Sequence, residues 1–430
     1  MLTNRLHITI LFATALIVSA TSCTITSQSA IPKLNPETAA SLAPVATIDM
    51  SPLYTKISAN GGQYFANVHD QTITLTDLLS QTSITLQAPN AHLAFMSSSG
   101  KLLASTSYTD PISIWDLPNP TPKHLFGPYG PILSIVFSED STMLLALDTN
   151  KMIYLWDLAT DDLIALYDFK SWPAQNRHIS SIDLSPDSSH FAAISADDIP
   201  AIKICDLSNP NNCRTIEWPQ SARQFYAVEF NTNWTQLAFI SGASAQLFDI
   251  STNKLGPLLT HEDAISNWRF TPDGEILAIY TAGTINQHYA SLIKLWDTST
   301  GDNTQTFMRS KYAHATTINP QGTHIATSSD TGYIHTWDID SGKQETVYSN
   351  TDSNTEYLSL AYSPDGKLLA AVDANGSITL WDTKTHQELS SSSVPNISPT
   401  TLEFSVNGNW ITTFSDNDYV TIWKPSDSIR

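Results

Sequence analysis

The sequence predicts an all-β chain in which small four-stranded sheets, one per repeat unit, stack around a common axis. Three observations carry this. An ending built on Trp-Asp or a variant of it recurs as SIWDL, IYLWDL, IKLWDT, IHTWDI and ITLWDT. Its Asp falls at 77, 116, 157, 206, 249, 297, 338 and 382, with Lys424 in the ninth place. The spacing therefore stays between 39 and 49 residues, a regularity that marks a stacked array rather than unrelated domains. Finally, the strands are apolar at neighbouring positions, as in Ile153 to Trp156 and Leu368 to Val372. A sheet with one wet face would alternate. Sheets covered on both faces need not, and a radial stack gives every sheet two neighbours.

Within each unit the punctuation repeats. A first turn reads Ser185-Pro-Asp-Ser188, Thr271-Pro-Asp-Gly274, Asn319-Pro-Gln-Gly322 and Ser363-Pro-Asp-Gly366. Pro presets the first central residue of a type I turn, Asp suits the second, and Gly fits the exit. A second turn reads Asp148-Thr-Asn150, Asp330-Thr-Gly332 and Asp373-Ala-Asn-Gly376. These turns delimit three strands, and a fourth follows the Asp, as in Leu163 to Tyr167 and Glu345 to Tyr348. The ninth unit ends soon after its third strand. Pro44 to Ile48 has strand character and no other partner, so an N-terminal strand is expected to complete the last sheet. The expectation is one closed ring of nine blades, with eight or seven as rival counts.

At these residues the chain resembles the WD40-repeat family of β-propellers, over roughly Val45 to Lys424. Leu259 to Gly274 follows the family's first half, and Ile325 to Asp338 its second. Units one, four and five carry Thr76, Cys205 and Phe248 where Trp belongs. The resemblance implies a His–Ser/Thr–Asp–Trp hydrogen-bond set in each blade. Here His261 has its unit's second-turn Asp replaced by a longer Ala282 to Ala290 loop. The unit with Ser329, Asp330 and Trp337 has Arg309 where His belongs. Packing is thus expected to stabilise these blades more than that network.

The N-terminus reads as a targeting segment. Ile8 to Ala20 is apolar but for Thr9, Thr14 and Ser19, too short for the ~20 residues of a spanning helix. Ala20-Thr21-Ser22-Cys23 resembles the bacterial lipoprotein processing site, with Ala20 where Leu, Val or Ile is usual. Cleavage after Val18-Ser19-Ala20 is the alternative. The expected organisation is a signal peptide over 1–22, a lipidated Cys23 opening a flexible tether over 23–43, and a propeller over 44–430. Cys205 and Cys213 flank an expected turn, Asp206 to Asn212. In an exported chain such a pair reads as a disulfide, with two free thiols as the alternative.

Net charge is −20. Nucleic acid is not expected as a partner, because neutralising phosphates needs a Lys/Arg surplus. Membrane contact is expected only through the N-terminal lipid. No phosphate loop, nucleophile elbow or zinc-protease motif occurs, so neither catalytic residues nor cofactors are assigned. His324 and His335 would face each other across the Asp330 turn, but no third metal ligand presents itself. Asp161-Asp162, Asp197-Asp198 and Asp416-Asn-Asp418 fall where the repeat places turns. The expected function is a non-enzymatic scaffold for a protein partner. The candidate binding residues are Tyr129, Trp172, Arg177, Trp218, Arg223, Arg309 and Tyr312, which fall in connections from a fourth strand to the next blade. Rigid aromatic rings beside Arg are the composition of interface anchors. Alternatively these rings cap sheet edges, and a ligand or substrate binds the central channel, as in lactonase- or quinone-oxidoreductase-like propellers.

Overall fold

A computed structural model describes residues 34–39, 42–49 and, between 57 and 425, all but 59–63, 70–71, 78–81, 98, 108–110, 126–130, 170–178, 196–200, 218–226, 286–287, 310–314, 329–331, 350–355, 395–398, 406–407 and 416–418. The described strands form nine four-stranded antiparallel sheets, the blades of one propeller. In blades one to eight the strands pair in chain order; blade eight, for example, comprises Tyr357–Tyr362, Leu368–Asp373, Ser377–Asp382 and Glu388–Ser393.

The ring closes through the N-terminus. Leu42–Asp49 pairs antiparallel with Tyr419–Pro425, setting Ala46 opposite Ile422, whose other neighbour is Thr412. Lys424 of blade nine has Asp77 of blade one as its attractive charge, across the junction.

Apolar runs occur because each second strand feeds two interfaces. In blade three, Leu144 and Ala146 pack toward Ile112 and Ile114 of blade two. Their sequence neighbours Leu145 and Leu147 pack toward Phe191 and Ala193 of blade four. Blade eight repeats this, with Leu369 and Ala371 on one side and Leu368, Ala370 and Val372 on the other. Trp115, Trp156, Trp381 and Trp423 are fully buried. Each large apolar side chain so covered stabilises the fold by about 1.5–3 kcal/mol.

The turn residues act as their types require. In the first turn of blade eight, Ser363 Oγ donates to Asp365 Oδ1 at 2.8 Å and accepts from Leu368 N at 3.0 Å. Gly366 sits at φ +73°, and a Cβ there would come 2.4 Å from Gln321 Oε1. The Asp of Trp-Asp is also a turn former: Asp382 Oδ1 accepts from Lys384 N and Thr385 N, both at 2.7 Å.

Three expectations need correction. The packed chain starts ahead of residue 44: Leu34, Ala39 and Leu42 are buried against Leu380, Leu402 and Trp423, and Leu34 N donates to Gly408 O at 3.1 Å. Residues 34–39, expected within the tether, thus have an apolar seat between blades eight and nine. Ala282 to Ala290 is no loop but the end of a ribbon, described below. The turn between the cysteines is shorter than expected, with strands Ala201–Asp206 and Asn209–Glu217 resuming almost at once. Cys205 lies opposite Cys213 there, and the two are disulfide-bonded.

Candidate protein-interaction face

The strand alternation decides which loops share a face. Each first strand runs from one face to the other, the second returns, and the third and fourth repeat the excursion. Second-turn loops and fourth-to-first connections therefore open on one face, and first and third turns on the opposite one. The first strands lie innermost: those of neighbouring blades touch, as where Leu402 N donates to Ser359 Oγ at 3.2 Å.

Of the candidate partner residues, Arg309 alone falls among the described residues. Tyr129, Trp172, Arg177, Trp218, Arg223 and Tyr312 lie outside the described residues, as does Cys23. Arg309 ends the outer strand of blade six, Asn303–Arg309, with its backbone opposite Ser291.

Blade six adds a feature to the face of the second turns. Its second and third strands, Ile276–Ile285 and His288–Asp297, have ten residues each and pair out to Ile285 opposite His288. Second strands elsewhere have about six, as in Leu368–Asp373. Four further residues at about 3.3 Å each carry this ribbon roughly 13 Å past its neighbours. Arg309 sits at its base.

Below the ribbon lies a buried polar anchor. Trp296 Nε1 donates to His261 Nε2 at 3.0 Å, so the imidazole is neutral at that nitrogen. Burial, with Lys294 nearby, lowers the His261 pKa to about 4. Lys294 in turn bonds Glu262 at 3.0 Å. Two Trp side chains find hydroxyls within their blades instead: Trp423 Nε1 donates to Thr413 Oγ1 at 2.9 Å and Trp337 Nε1 to Thr327 Oγ1 at 3.4 Å.

Titratable groups also lie on the first strands of the blades. Burial pushes the Asp183 carboxyl up to about 6, against a hydrogen bond from Leu184 N at 2.9 Å. Burial also raises the Glu403 carboxyl, opposed by the charge of Arg269. These groups sit on blades four, nine and six. The paired histidines expected at the Asp330 turn do not meet: His335 lies opposite Thr327 and His324 opposite Asp338. Asp161 and Asp162 sit at a turn and a strand start, and the other two Asp pairs lie outside the described residues.

Comparison with known proteins agrees with the fold. Residues 268–407 match the family model described as the anaphase-promoting complex subunit 4 WD40 domain. The comparisons support the WD40-repeat family. The chain is 24% identical over 238 residues to the protein LST8 homolog of Drosophila melanogaster, covering 53% of this chain and 73% of that one. It is 24% identical over 280 residues to autophagy-related protein 16 of Arabidopsis thaliana, covering 63% and 51%. The serine-threonine kinase receptor-associated protein of Gallus gallus is 20% identical over 258 residues, covering 60% and 68%. Among the described second and third strands, those of the blade-six ribbon are the longest.

Proposed function

We propose that this protein is an exported, lipid-anchored, non-enzymatic scaffold that presents one propeller face to a protein partner at the cell envelope. The observation that carries the reading is the blade-six ribbon, Ile276–Ile285 paired with His288–Asp297, which projects past the second turns of the other blades. A projecting ribbon suits a folded partner more than a small ligand, and the sequence pairs rigid aromatic residues with Arg, the composition of interface anchors. WD40 propellers typically work as interaction scaffolds, which supports the class of function and names no partner.

The anchor rests on Ile8 to Cys23, and the cysteine pair at 205 and 213 suits an oxidising compartment. Acyl chains on Cys23 would add about 0.8 kcal/mol of membrane affinity per buried methylene. Affinity capture from detergent-solubilised membranes tests the face, with wild type compared against a Trp172→Ala/Trp218→Ala double variant. The double variant should fold with an unchanged melting temperature and lose its partner. Equal capture by both proteins would remove the face from consideration. Radiolabelled palmitate should label wild type and not Cys23→Ser; labelling of both would remove the anchor.

A further inference from the structure

We propose that His324, Asp338 and Glu345 of blade seven form a binding site for a divalent transition metal ion, with Zn²⁺ the best match to the donor set. The three come from successive strands, His324–Ser328, Tyr333–Asp338 and Gln344–Ser349. One ligand atom from each lies within 4.8 Å of the others. His324 Nε2 and Glu345 Oε2 are 2.9 Å apart. Around a tetrahedral ion with bonds near 2.0–2.2 Å, ligand atoms stand about 3.3–3.5 Å apart, so the His324–Glu345 pair needs to open by about half an ångström, with an Asp338 oxygen within 4.8 Å of both.

The surrounding groups already orient the ligands. His324 Nδ1 is 2.8 Å from Thr323 Oγ1, and that hydroxyl is held by Asn319 Nδ2 at 2.9 Å. With Nδ1–H donating to Thr323, the Nε2 lone pair is directed at the two carboxylates, the arrangement typical of metal-bound imidazole. Asp338 Oδ1 accepts from Ser341 N at 2.7 Å and from the Ser341 hydroxyl, which leaves Oδ2 for an ion. His324 and Glu345 are partly open to solvent, so a water molecule can fill the fourth position.

Comparison between blades separates this site from ordinary turn chemistry. A His opposite the turn Asp recurs in blade four, where His190 faces Asp206 and its Nδ1 lies 2.6 Å from Ser189 Oγ. Among the described residues that pair gathers no third ligand, and the following outer-strand residues are Asn209, Pro210, Asn211 and Asn212. In blade seven a bulge between Gln344 and Thr346 re-aims Glu345 across the third strand. At the same bulge, blades three, six and eight carry Ile164, Thr304 and Leu389. The acid is thus specific to the blade that also has the His.

Isothermal titration of the purified, untagged full chain with ZnCl₂ tests the assignment. Wild type should bind one saturable equivalent. His324→Gln and Glu345→Gln should each weaken it about tenfold or more, while His190→Gln leaves it unchanged. Melting temperatures would verify the folds; Glu345 is exposed, so its variant keeps the test open if the His324 variant is destabilised. Absence of a saturable equivalent overturns the site. So does an equivalent that survives in both blade-seven variants, or one lost with His190.

Discussion

Replacing Leu34 with Ala tests whether the folded unit reaches back past the ring-closing strand. Leu34 is 1% exposed and lies in the cluster formed by Leu380, Leu402 and Trp423. Ala there would remove a buried side chain from a seat built by two blades. A buried Leu→Ala change costs about 2–5 kcal/mol, the larger values where the cavity cannot collapse. Strand residues form much of this cavity, so little collapse is expected. The loss should appear as a lower urea midpoint with an unchanged slope. It should also speed amide exchange along Tyr419–Pro425, because Leu42–Asp49 pairs there and is tied to the Leu34 segment. Glu37→Ala, at an exposed position of the same segment, is the control and should stay within about 0.5 kcal/mol of wild type. If Leu34→Ala behaves like the control, residues 34–39 do not dock, and the packed chain begins at Leu42.

His261 provides a pH test. Its pKa of about 4 when folded, against about 6.5 unfolded, means the unfolded chain takes up the proton first. The stabilisation is full above pH 6.5, declines through that window and levels off below 4, a loss of about 3 kcal/mol. His261→Gln should flatten this part of the pH profile of the urea midpoint, and an unchanged slope would refute the assignment. Two glycines at positive φ should differ in a predictable way. A Cβ at Gly301 would lie 2.2 Å from the rigid Pro257 ring, whereas at Gly366 it meets the movable end of Gln321. Both Gly→Ala changes should cost about 1–2 kcal/mol for the left-handed backbone, with Gly301→Ala clearly the worse in thermal melts. Equal losses would contradict the local geometry.

The blade count and ring closure were legible because both depend on repetition. Trp-Asp endings and Pro-Asp turns recur at a period that leaves one strand to be supplied by the N-terminus. The apolar runs were legible for the same reason: Leu368 to Val372 must serve two interfaces. The blade-six ribbon was not, because Ala282, Gly283 and Ala290 lack the β-branched alternation that marks a strand. Pairing between two facing segments stabilises it instead. Leu34 was missed because a single buried Leu has no period; the Asn35-Pro36 turn beside it was the available signal, with Asn35 Oδ1 accepting from Glu37 N at 2.9 Å. In the sequence His324 has no visible third ligand, since the approach of Glu345 depends on a bulge that only the register reveals.

Site-specific photo-crosslinking in intact cells tests the functional account most directly. A photoreactive residue would be placed at Tyr289 of the ribbon and at the proposed anchors Trp172 and Trp218, and at Thr300 or Lys384 in third turns on the face opposite the ribbon. The account predicts a common partner adduct from the first three positions and none from the other two. Adducts from Thr300 or Lys384, with none from the ribbon face, would contradict it.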